Sequence, residues 1–149
     1  LKRFSFALDR VLNYKIQIER NLRNEYAQIV QKVMRKEEQI KGLEQRHRVC
    51  AVDYDQEKER GAMVNRLRTF EDYLQSLSDK INAEKQNLAQ LKVIEEKKRQ
   101  EVIAAKQDTA SIDMLKTKRM QEYDKEVQKD DERLIEEFVS NMMSGSASA

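Results

Sequence analysis

The chain has 149 residues, of which 38% are charged, with three glycines, no proline, no tryptophan and a formal net charge of +2. So few turn-forming residues exclude a β-rich or α/β domain and leave long helices. Leu, Ile, Val and Phe together supply 35 of the 149 residues, and with so small a net charge that content excludes a disordered chain as well.

Leu1-Lys2-Arg3 followed by Phe4 to Leu8 has the outline of a signal peptide, but the apolar stretch stops at Asp9, too short for an h-region. Uninterrupted apolar runs such as Val49-Cys50-Ala51-Val52 reach only four residues, whereas a membrane span needs roughly 20 such residues. The expectation is a soluble cytoplasmic chain without direct membrane insertion. A single cysteine, Cys50, forms no internal disulfide and fits a reducing compartment.

The first element is a helix over about 4–57. From Leu8 the seam steps by four and three residues through Leu12, Lys15, Glu19, Leu22, Tyr26, Ile29, Val33, Lys36, Ile40, Leu43, His47, Cys50 and Tyr54, a heptad pattern with polar interruptions. Continued further it reaches Glu57, Gly61, Val64 and Arg68, so it fails around Gly61, and a turn is expected at about 58–63. The second helix is expected over about 64–139. Its register runs Leu67, Phe70, Leu74, Leu77, Ile81, Glu84, Leu88, Leu91, Glu95, Lys98, Val102, Ala105, Thr109, Ile112, Lys116, Arg119 and Tyr123. The tail 140–149, rich in Ser, Gly and Ala, is expected to fray.

Two heptad helices joined by a short loop fold back antiparallel, with partner numbers adding to about 122 if Gly61 is the apex. Ile40 then faces Ile81, Val33 falls between Leu88 and Leu91, Leu8 reaches the 112–115 region and Lys36 faces Glu84. The fold class is therefore all-α: one domain over 1–149, a long antiparallel two-helix coiled-coil hairpin of about 85 Å with an overhanging C-terminal helix beyond about Lys118. An intramolecular seam closes at high effective concentration, so a monomer is expected.

His47, Cys50 and Asp53 share one helix face, but three groups fall short of the four ligands of a structural metal site. The acidic series Asp53, Asp55, Glu57, Glu59 places Lys58 where a calcium loop needs glycine. One histidine and scattered glycines assemble neither a nucleophile–base pair nor a phosphate loop. No catalysis, cofactor or metal is expected. The basic run Lys97-Lys98-Arg99 is bracketed by Glu95-Glu96 and Glu101, which cancels its field for nucleic acid. Residues 1–54 carry +5 and the remainder −3, an asymmetry that helps the two arms attract each other.

Two surfaces are candidate partner sites. Near the turn, Gln39, Leu43, Arg46 and Cys50 on the first arm face Tyr73, Leu77, Lys80 and Glu84 on the second. At the other end, Met120, Tyr123, Val127, Leu134, Ile135 and Phe138 lie on the overhang, with Phe4, Phe6 and Leu8 beside its start. Apolar groups on an unpaired helix call for a partner.

The start Phe4-x-Phe6-x-Leu8-x-x-Val11-Leu12-x-x-Lys15, then Gly61 followed by Tyr73-Leu74-x-x-Leu77-x-x-x-Ile81, then Leu115-Lys116, Tyr123, Lys129-Asp130-Asp131-Glu132 and Glu136-Glu137-Phe138 resemble the FliJ family of flagellar export proteins over nearly the whole chain. Leu1 stands where a native chain would begin with Met, as a non-standard start codon or a trimmed terminus would explain. The resemblance implies a component of the flagellar type III export apparatus, serving flagellum biogenesis and motility. It further implies insertion into the hexameric export ATPase ring, contact with the cytoplasmic domain of the membrane export gate, peripheral association with the inner membrane, and recycling of export substrate chaperones. Under it the surface near the turn is the gate site and the distal residues the ATPase-ring site. The alternatives are a spacer or adaptor coiled coil and a holdase-type chaperone.

Overall fold

A computed structural model describes the backbone of residues 2–147 and the side chains of residues 2–145. Two long helices pack together: α1 is Asp9–Glu59 and α2 is Val64–Ala147. Proline is absent and Gly42 is the one glycine inside α1, so nothing in either sequence breaks the backbone ladder.

Three boundaries differ from the sequence reading. α1 begins at Asp9, not near residue 4. The Asp9 amide donates to the Phe6 carbonyl at 3.1 Å, and an acid in the first turn opposes the positive end of the helix. Ahead of it, Phe6 is buried and Phe4 lies against another ring, so this segment is held by side-chain packing without helical bonds. The turn is shorter than expected, because α1 continues to Glu59. Gly61 adopts φ 75°, its amide donating to the Lys58 carbonyl and that of Ala62 to Glu57. These back-bonds satisfy orphan carbonyls at the helix end, and the left-handed conformation is one glycine adopts without steric cost. Finally, α2 runs on through the expected tail as far as Ala147; positions 148–149 of that tail lie outside the described residues. Residues 140–144 contain no breaker, and Gly145 costs only about 1 kcal/mol relative to Ala in a helix.

The chain divides into two compact units, one comprising Asn21–Val102 and the other Leu1–Arg20 with Ile103–Ala149. In the first, the helices run antiparallel from the turn. Val33, Ile40, Leu43, Cys50, Leu77 and Ile81 are buried, with Leu43, Leu77 and Ile81 forming a cluster. The Lys36 ammonium meets the Glu84 carboxylate at 2.6 Å within the seam, the pairing that the heptad register places there. His47 Nε2 lies 3.2 Å from Ser78 Oγ, the Tyr54 hydroxyl donates to Glu71, and Lys98 bonds Glu25 at 2.8 Å.

In the second unit, Phe6, Leu12 and Ala105 are buried. Lys15 pairs with Asp108 at 3.6 Å and Lys116 with Asp9 at 2.8 Å. Every seam position from Leu12 to Glu57 and from Leu67 to Thr109 is buried or half-buried. The layer is thin: none of the large side chains falls below 2% exposure. Stability is thus spread along the seam, without a central core.

Candidate functional site

Close to the turn, the side chains flanking the seam open into a groove of about 640 Å³ lined by Gln45, Arg46, Val49, Cys50, Asp53, Arg66, Thr69, Phe70 and Tyr73. Its floor is the seam itself, where Cys50 is buried and Phe70 half-buried. Its rims are apolar residues that the heptad pattern leaves just outside: Val49 is 51% exposed and Tyr73 49%. Burial pushes the Cys50 thiol above its usual pKa, and the Asp53 carboxylate one turn on adds to the shift. The Arg66 guanidinium is taken by Glu57 at 3.1 Å. Tyr54 sits between the Phe70 ring, at 6.1 Å, and the Lys58 ammonium, 4.2 Å from its centroid.

The expected stripe near the turn is only partly a surface. Arg46 and Tyr73 line the groove, and Gln39 and Lys80 are exposed. Leu43 and Leu77, 5% exposed, pack together with Ile81, and Cys50, 8% exposed, is buried in the same seam. The correction follows from the register: these three occupy the positions that step by four and three through the whole seam, so they cannot also face outward. Glu84 is half-buried and bonded to Lys36, which holds its carboxyl below the ordinary range. Gln39 Oε1 accepts a second bond from the same ammonium at 3.3 Å. Sequence reasoning missed Val49 and Thr69 as lining residues. Their signal is an apolar or small side chain one position off the seam on the side of Arg46 and Tyr73.

At the other end, Phe4, Phe6, Leu8 and Tyr123 come together as expected. The Phe4 and Tyr123 ring centroids are 5.5 Å apart, and the Tyr123 hydroxyl donates to the Lys2 carbonyl at 2.8 Å. A hollow of about 300 Å³ opens between these residues, Leu115 and Arg119. Phe6 is buried beneath this contact and Leu8 partly exposed. Further along α2, Met120 is exposed and Val127 half-buried, while Leu134, Ile135 and Phe138 stand 63–65% exposed. Val139 and Met142 add to that apolar surface.

Among the described residues no cluster of three or more His, Cys, Asp or Glu side chains could hold a metal ion. None of their helices is long and apolar enough to cross a membrane. No curated protein and no solved structure matches the chain. A family model does, the one described as Flagellar FliJ protein, over residues 4–148. The match takes in the packed amino-terminal segment, the turn, the groove and the distal helix alike, and the chain belongs to the flagellar FliJ family, a component of the flagellar export apparatus.

Proposed function

We propose that this chain is an antiparallel coiled-coil hairpin with an overhanging C-terminal helix. It acts as a stalk in the hexameric flagellar export ATPase ring and couples that ring to the cytoplasmic domain of the export gate. It works in the cytoplasm at the inner membrane and also escorts export substrate chaperones. The observation that carries the reading is the exposure of Leu134, Ile135 and Phe138 in the distal part of α2. Each leaves apolar surface wet at roughly 25 cal/mol per Å². Acidic and basic side chains interleave with them, from Lys129 to Glu137. A mixed surface of this kind can be gripped in turn by similar subunits without locking to one of them. The groove near the turn supplies the second contact, with Tyr73 as its anchor, since partly exposed aromatic side chains on a helix face are the usual hot spots of an interface.

The test is ATP turnover by the purified export ATPase with the full-length chain and with a chain truncated after Lys118. The truncated form is expected to lose stimulation while still binding the gate domain, and Tyr73→Ala to do the reverse. Undiminished stimulation by the truncated form would overturn insertion through this end.

A further inference from the structure

In the unit Asn21–Val102 the two sides of the helix pair are unequal. One side is closed by ion pairs across the seam: Lys85 with Glu44 at 3.3 Å and Lys92 with Glu37 at 3.5 Å. The lysines are seven residues apart, as are the glutamates, so both bridges lie on the same side. Glu44 there borders a shallow hollow with His47, Arg48 and Ser78. The opposite side holds the apolar groove, where Arg46, Asp53 and Arg66 are the charged lining residues.

The charge left over on the groove side is positive. Arg66 is answered by Glu57. Asp53, towards the turn, is the one carboxylate in the lining. Arg46 lies two turns before Asp53, away from the turn, and among the described residues none of the ion pairs across the seam involves it. Lys80 lies two turns beyond Tyr73 on the same face of α2. The Glu84 carboxylate one turn on feels the Lys80 charge only weakly beside that of Lys36, to which it is bonded at 2.6 Å. The groove therefore runs from Asp53 near the turn to Arg46 at its far end, with an apolar floor between, and Lys80, two turns past Tyr73, extends the positive charge beyond the lining.

Resting on the reading of this groove as a partner site, we propose that its occupant is an acidic amphipathic segment of another protein. Its apolar side chain seats against Val49, Phe70 and Tyr73, and its carboxylates meet Arg46 and Lys80. The apolar contact supplies affinity and the two cations fix direction, because a segment laid the other way round brings its carboxylates to Asp53. On the side closed by ion pairs Arg48 is bonded to Gln45 and its hollow holds no Phe or Tyr side chain to seat an apolar group, so this partner is expected on the groove side alone.

Two fluorescein-labelled helical peptides test the proposal on the full chain. One carries Leu and Phe on one face with Glu on the flanks; the other has Lys at every Glu position. The Glu peptide is expected to bind at least tenfold tighter at low salt, and the preference to collapse in an Arg46→Glu, Lys80→Glu double variant of unchanged helicity. Lys85→Glu, on the other side, is expected to leave the preference intact. Equal binding of the two peptides, or a preference that survives the double variant, overturns the proposal. So does tighter binding of a single-stranded oligonucleotide than of the Glu peptide. Binding to the purified cytoplasmic domain of the gate is measured alongside. Gate binding without the peptide preference overturns the acidic occupant and keeps the gate reading. The preference without gate binding supports the acidic occupant and removes the gate from the reading.

Discussion

Leu77→Ala and Tyr73→Ala separate a seam residue from a surface anchor on the same helix, and the structure assigns them opposite outcomes. Leu77 is 5% exposed and packs with Leu43 and Ile81. Truncation to Ala removes about three buried carbons at roughly 0.8 kcal/mol each, before any cavity is counted. Adjacent helices in a two-helix layer can close part of the gap, so the loss is set near the low end of the 2–5 kcal/mol range for such changes, at about 2–3 kcal/mol. Tyr73 is 49% exposed, and its ring is a wall of the groove without the enclosure of the seam. Its truncation is expected to cost under about 1 kcal/mol, in the range of surface substitutions. Urea unfolding followed by far-ultraviolet circular dichroism measures both. Leu77→Ala should shift the midpoint clearly downwards with little change in slope, and Tyr73→Ala should leave it nearly in place while weakening gate binding about tenfold or more. Equal stability of Leu77→Ala and the parent would refute the assignment of Leu77 to the seam. A Tyr73→Ala variant destabilised as much as Leu77→Ala would refute the distinction itself.

Gly61→Ala places a side chain at φ 75° and is expected to lower stability by about 1 kcal/mol, read as a fall in melting temperature, although no neighbouring atom obstructs the new methyl group. The bond from Lys36 holds the Glu84 carboxyl below its ordinary value. A depressed carboxylate contributes stability above its unfolded pKa and loses it as pH falls through the folded one. Glu84→Gln is therefore expected to flatten the acid side of the stability profile below about pH 4.5, where the parent loses that contribution. Burial and Asp53 keep the Cys50 thiol protonated, so iodoacetamide is expected to modify it slowly in the native chain and rapidly in denaturant. Rapid native alkylation would place Cys50 outside the seam.

The heptad stepping from Leu12 onward carries almost all of the fold, because a two-helix layer has a single buried seam and burial has no other pattern to follow. Lys36 opposite Glu84 is legible for the same reason, an interruption in one seam answered by an interruption in the other, whereas the Lys15 partner Asp108 lies off the seam and is not. The amino-terminal segment departs from the heptad pattern. Phe4, Phe6 and Leu8 alternate with a period of two, the spacing of extended backbone, and the helix begins only at Asp9. Leu43, Cys50 and Leu77 lie both on the heptad seam and in the stripe read as a partner surface, and burial shows that the seam claims them. The groove depends on Val49 and Tyr73, one step off the seam. Periodicity treats such residues as ordinary flanks, and only the placement of both helices shows that their rims enclose a volume.

The turn at Gly61 also sets an order of assembly. The Arg66 bond to Glu57 spans 9 residues of chain, the Tyr54 bond to Glu71 spans 17, and Lys36 with Glu84 spans 48. The Tyr123 bond to Lys2 spans 121. The entropy of closing a loop grows with its length, so pairs nearest the turn form first and each closed pair shortens the loop left for the next. The seam zips outward from the turn, and the contact of Phe4 and Lys2 with Tyr123 is the last to close. It is correspondingly the first to open, since few buried neighbours hold it. Opening of this clasp frees the Phe4 and Tyr123 rings, and the bonds near the turn, which close much shorter loops, do not depend on it.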